Sequence, residues 1–178
     1  MPFNVQTFLE NVESCTKGKA RDGLRRLCKE YGALTTPKQR AGCVKEMMDS
    51  LDEAVDTRTR QAVMEACGRQ CICHSTLEKG LRIKKQSHDL DDLLHRLNEA
   101  HIGGGHLARK GKVIHAFYDR CYCGSVSKSM AQFSSTYCHC SCGWYRQLFE
   151  TLMGEPVRVE LLGSIIQGDT KCEFVIHC

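Results

Sequence analysis

The sequence predicts an α+β fold: a helical N-terminal half packed on an antiparallel sheet crossed by one helix. Three observations predict it. Apolar side chains recur at helical spacing as far as Leu97. They alternate with period two in segments from Lys112 onward. Gly, Pro and Asp mark the changes of register. With 178 residues, 42% hydrophobic and 26% charged, the chain is long enough to bury one core.

The elements follow in order. Phe8, Leu9 and Val12 suggest a short first helix, and Leu24, Leu27, Cys28 and Tyr31 a second that stops at Gly32. Thr36-Pro37 reads as a cap followed by a proline at the first helical position; Val44, Met47, Met48, Leu51 and Val55 then share one face. A further helix is expected from about Arg58 to Cys67. Asp89 opens another, with Leu90, Leu93, Leu94 and Leu97 as its stripe, and His101–His106 (HIGGGH) ends it as a flexible connection. Lys112–Tyr118 reads as a strand and Ser134–Cys138 as a second. Ser141 is placed as the cap of a helix carrying Trp144, Leu148 and Leu152 to Gly154. Pro156 opens a strand with Val157, Val159 and Leu161 alternating; Gly168-Asp169 turns the chain, and Cys172, Phe174 and Ile176 alternate in the last strand. The expected organisation is a helical portion, 1–104, and an α+β portion, 105–178, in one compact domain.

No apolar run approaches the roughly 18 residues of a membrane span, and the N-terminus lacks a basic-then-apolar leader. The expected location is cytoplasmic. The net charge is +4, with 20 basic and 15 acidic side chains in 1–112 against 5 and 6 in 113–178. No aromatics interleave with the basic residues, which argues against nucleic acid; a small apolar or anionic ligand fits better, and homodimer formation is left open.

Thirteen cysteines are the abnormal feature. An odd count in a chain of this length, without a leader, fits thiols that bind metal or act as thiolates better than a disulfide scaffold. Eight of them cluster: Cys67, Cys71 and Cys73 in CGRQCICH, Cys121 and Cys123 in CYCG, and Cys138, Cys140 and Cys142 in YCHCSCG. On a strand each C-x-C points two sulfurs to one side, and on a helix Cys67 and Cys71 share a face. The third group runs into an expected helix start, where the dipole favours thiolates. These eight are the expected metal ligands. Zinc is the first expectation and an iron–sulfur cluster the alternative, since both accept thiolates. Cys15, Cys28, Cys43, Cys172 and Cys178 read as packing thiols. His74 and His139 adjoin the clusters. His115 and Trp144 are the expected ligand-contacting side chains, and no acid–base pair is self-evident.

From Tyr137 the segment closes with Gly143–Leu152, Pro156–Glu160 (PVRVE), Gly168-Asp169 and Cys172–Ile176 (CEFVI). It resembles the closing unit of 4-vinyl reductase-type small-molecule-binding domains. It is also similar to cysteine-rich bacterial and archaeal proteins, some assigned as 2-amino-thiazoline-4-carboxylate hydrolases. The resemblance covers about 105–178. It implies a fold like that of trafficking-particle subunits and haem nitric-oxide sensors, with an apolar cavity and in some members a metal. Ser164 stands where that pattern often has a cysteine, so Cys172 lacks a thiol partner across the hairpin. The first functional expectation is therefore a small-molecule-binding or sensor-like domain with a structural zinc site. The alternatives are a metal-dependent hydrolase, with His115 or His139 as base and Cys142 as nucleophile, and an iron–sulfur redox module.

Overall fold

The computed structural model describes residues 3–17, 21–124, 126 and 133–178. Four helices come first: α1 (Val5–Thr16), α2 (Arg21–Ala33), α3 (Pro37–Ala54) and α4 (Thr57–Cys71). Three of them start on a side chain that caps them. The Asn4 side-chain oxygen accepts from the amides of Gln6 and Thr7, Thr36 and Gln39 form a reciprocal capping box ahead of Pro37, and Asp56 accepts from the Thr59 amide. Their apolar faces, including Phe8, Val12, Leu24, Met47, Met48, Leu51 and Val63, form one buried cluster.

Two more helices follow, α5 (His74–Gln86) and α6 (Leu90–Glu99), the latter capped by Asp89 as expected. The sequence reading missed α5 because, among its residues, only Gly80 is fully buried. After α6 come β1 (Leu107–Lys110), β2 (Val113–Tyr118), α7 (His139–Met153), β3 (Arg158–Gly163) and β4 (Cys172–His177). The sheet is antiparallel throughout, in the order β1-β2-β4-β3. The molecule is thus α+β, with α7 as the crossing helix.

Two expected elements differ. Residues 135–138 form a 3-10 turn rather than a strand, because the Ser134 hydroxyl accepts from the Thr136 amide and curls the backbone. Helix α7 begins at His139, so Ser141 lies inside it and caps nothing. The glycines of HIGGGH are packed rather than a flexible connection. Gly103, Gly104 and Gly105 all have φ between +72° and +81°, where side chains are strained. A Cβ on Gly104 would stand 2.5 Å from the Tyr118 ring. The Asn98 amide then ties the turn to β1, donating to the Leu107 carbonyl and accepting from its amide, both at 2.8 Å.

Ile72, α5, α6, α7 and the inner sheet face enclose a second buried cluster, centred on Tyr145, Leu148, Phe149, Leu152 and Phe174. The two clusters meet where α4 crosses α7. A Cβ on Gly68 would lie 1.8 Å from the Cys140 carbonyl oxygen, and one on Gly143 would lie 1.9 Å from that of Glu65. Only glycine at both places permits the helices to touch backbone to backbone. Ion pairs flank the contact: Arg69 grips Glu150 with two bonds of 2.7 and 2.8 Å, and Arg146 pairs with Glu65.

Candidate ligand cavity

The helix crossing determines where the sulfurs go. Cys71 lies one turn beyond Gly68 on α4, and Cys140 one turn before Gly143 on α7, so the glycine contact holds the two thiols side by side. Cys138, just ahead of α7, meets Cys172 at the start of β4; the Ser164 hydroxyl lies 2.9 Å from Cys138 Sγ, and the Ile165 amide donates to Cys172 Sγ at 3.4 Å. Cys172 therefore has a thiol partner, supplied by the α7 start rather than by the hairpin. Nothing in the spacing of positions 138 and 172 signals that pairing.

These pairs line one cavity of about 510 Å³, within the range of small-molecule sites. Six cysteines contribute: Cys71, Cys121, Cys123, Cys138, Cys140 and Cys172. Aromatic walls come from Tyr118, Tyr122, Tyr137 and Trp144, with Arg120 and His101 as the basic groups. In the sheet register Tyr118 opposes Cys172, which sets both at the same end of the sheet. The Tyr118 ring stacks on Tyr145 at 5.6 Å, and Tyr145 donates to the Gly103 carbonyl at 3.0 Å, fixing the back of the site. At the mouth, half-exposed Tyr122 stands edge-on to Tyr118 at 5.3 Å, with the Arg120 guanidinium 5.0 Å from its ring centre.

A second cavity of about 460 Å³ lies against α1 and shares Cys71, Cys123, Tyr137 and Cys140 with the first. Those four residues form the wall between them. The turn that carries Tyr137 is anchored by Asp52, which accepts from the hydroxyls of Ser134 and Thr136 and pairs with Arg60 at 3.4 Å.

Of the eight expected ligands, five reach the larger cavity: Cys71, Cys121, Cys123, Cys138 and Cys140. Cys67 is buried in the first cluster, accepting from the Asn11 amide at 3.4 Å, and touches only the second cavity. Cys73 is exposed at the start of α5. Cys142 is fully buried in the second cluster. The C-x-C argument fails for Cys140 and Cys142, which lie two apart within a helix and so point to nearly opposite sides. Trp144 lines the cavity. His115 does not: strand alternation places it on the sheet face opposite Ile114, Ala116 and Tyr118. Nor do His74, 3.3 Å from Glu78, and His139, 3.8 Å from Glu65. Of the base and nucleophile expected of a hydrolase, His115 and Cys142 occupy separate regions, whereas His139 lies one turn before Cys142 on α7.

Burial overrides the helix dipole at the α7 start. Desolvation pushes the Cys142 thiol up to about 12, and Cys140 rises well above its ordinary value through its bond to Cys71 and through burial. The partners move the other way. Hydrogen bonding from Cys140 lowers Cys71, and from Cys138 lowers Cys172, in each case against burial. One sulfur of each pair is therefore the better nucleophile.

A family model described as a family of unknown function (DUF6144) matches residues 10–178. The chain belongs to that family. In this DUF6144 chain the match takes in every residue of the larger cavity. No curated protein matches it. Among solved structures, it is similar to the phenol-responsive sensory domain of the transcription activator PoxR bound to phenol. The identity is 17%, over 81% of this chain and 75% of that one, with a TM-score of 0.45. No described helix is long and apolar enough to cross a membrane.

Proposed function

We propose that the chain is a small-molecule-binding domain whose ligand is a flat, mostly apolar molecule carrying one acidic group. The observation that carries this reading is the cavity of about 510 Å³ walled by Tyr118, Tyr122, Tyr137 and Trp144, with Arg120 at its mouth. Apolar walls with a few placed polar groups are what such sites offer a ligand. The rings would hold the flat body, and the guanidinium would pair with the acid. The resemblance of residues 105–178 to 4-vinyl reductase-type binding domains points the same way.

Trp144 is the chain's one tryptophan, so its fluorescence reports on the site directly. Benzoate should give a saturable change and bind more tightly than benzyl alcohol, and Arg120→Gln should remove that preference. A flat signal for both compounds up to their solubility limits would overturn the reading.

Six thiols around one cavity favour a second reading, a thiolate-held metal centre. Among the described residues, no three His, Cys, Asp or Glu groups already converge as a single tetrahedral zinc requires. An iron–sulfur cluster, which spreads its thiolate ligands over more than one iron, is the form of centre that six thiols lining one cavity would favour. Iron and acid-labile sulfide measured on protein purified without oxygen would support this reading, and their absence would reject it.

A further inference from the structure

Three features of the Cys71–Cys140 pair bear on its chemistry. It sits at the one place, among the described residues, where two helices touch through glycine backbones, so its spacing is set by the fold. Both sulfurs line both cavities, so a small molecule can reach them from either side of the wall. Both are free thiols and neither is sealed in a core. The Cys138–Cys172 pair lines only the larger cavity and is held by Ser164 and Ile165.

We propose that Cys71 and Cys140 form a redox-active dithiol that reduces small organic disulfides entering the cavity, closing a disulfide that ties α4 to α7. The thiolate of Cys71 attacks one sulfur of R–S–S–R. That bond breaks, a mixed disulfide forms on Cys71, and the departing RS⁻ takes a proton from solvent. Cys140 then attacks Cys71 Sγ, its proton passing to the second RS⁻ as that leaves. Two electrons move from the protein sulfurs to the substrate, which becomes two RSH molecules. The order of attack follows from access. Cys140 packs against the first buried cluster and Cys71 does not, so an entering disulfide meets Cys71 first and Cys140 is the resolving sulfur. The reaction needs only entry of a small molecule and does not depend on which ligand the aromatic walls hold.

The test uses the full chain, fully reduced and freed of reductant without oxygen, with bis(2-hydroxyethyl) disulfide as probe. About two equivalents of 2-mercaptoethanol should appear per chain. Peptide mapping should find a cross-link between Cys71 and Cys140, with fragment ions separating them from Cys73, Cys138 and Cys142. Cys140→Ser should stop at a 2-mercaptoethanol adduct on Cys71. Cys71→Ser should slow thiol release at least about tenfold, whereas Cys73→Ser should not change it. A bond between Cys138 and Cys172 instead, scattered adducts without the cross-link, or no thiol release would each overturn the proposal. The map of the unmutated chain decides the matter even where a variant fails to fold.

Discussion

Replacing Gly143 with alanine tests the helix crossing that organises the whole site. The new Cβ would stand 1.9 Å from the Glu65 carbonyl oxygen and 2.8 Å from its Cα, and both are backbone atoms that no rotamer change can move away. Relieving the shorter contact to ordinary van der Waals range requires α4 and α7 to part by about 1.5 Å. Overpacking of a tight interior contact costs about 1–3 kcal/mol. Alanine recovers up to about 1 kcal/mol through helix propensity. Two backbone clashes place the change at the upper end, a net loss of about 2 kcal/mol, or on the order of 4–8 °C in melting temperature for a chain of this size. Gly42→Ala is the matched control: it lies in α3 with nothing within 4 Å of its added Cβ, so it should gain about 0.5–1 kcal/mol. Urea unfolding of both variants measures the difference. Equal stability of Gly143→Ala and Gly42→Ala would refute the backbone-contact argument.

Three other outcomes follow from the same geometry. Gly104→Ala combines a φ of +81° with a contact of 2.5 Å to the Tyr118 ring, and should cost about 1–3 kcal/mol in urea unfolding while weakening benzoate binding to Trp144. Asp52→Ala removes the acceptor for Ser134 and Thr136 and should cost about 1.5–3 kcal/mol, with faster proteolysis near Tyr137. The Arg69 guanidinium holds Glu150 below the ordinary carboxylate range. That pair stabilises the fold above the unfolded glutamate value of about 4.3 and ceases to do so as pH falls through the lowered folded value. Arg69→Gln should therefore cost about 1 kcal/mol at pH 7, after discounting for solvent screening, and the gap should narrow below about pH 4. A gap that is constant with pH would contradict the pairing.

Local chemistry made much of the fold legible. Thr36-Pro37 with Gln39, and Asp89 ahead of its leucine stripe, are caps whose partners lie within four residues, and both helices start where those caps place them. Helix α5 was illegible because Leu77 and Ile83 only brush the second cluster and give too weak an apolar stripe. The thiol site was legible in composition but not in membership. Clustering singled out Cys73 and Cys142, which the fold sends to solvent and to a core, and passed over Cys172, whose partner is 34 positions away. The unread signal was glycine rather than cysteine. Gly68 and Gly143 each stand beside a cysteine in helical sequence, where glycine is costly unless another backbone needs the space. Reading them as a crossing would have joined Cys71 to Cys140. The dipole argument for acidic thiols at the α7 start failed for a related reason, since the same close packing removes the water that thiolates need.

The most direct test of the cavity as the binding site is alkylation of each cysteine, followed by mass spectrometry, with and without saturating benzoate. Ligand in the cavity should slow Cys121, Cys138 and Cys172, which line that cavity alone, at least about tenfold and leave the exposed Cys73 and Cys178 unchanged. Unchanged rates at those three cysteines while the Trp144 signal saturates would contradict the account.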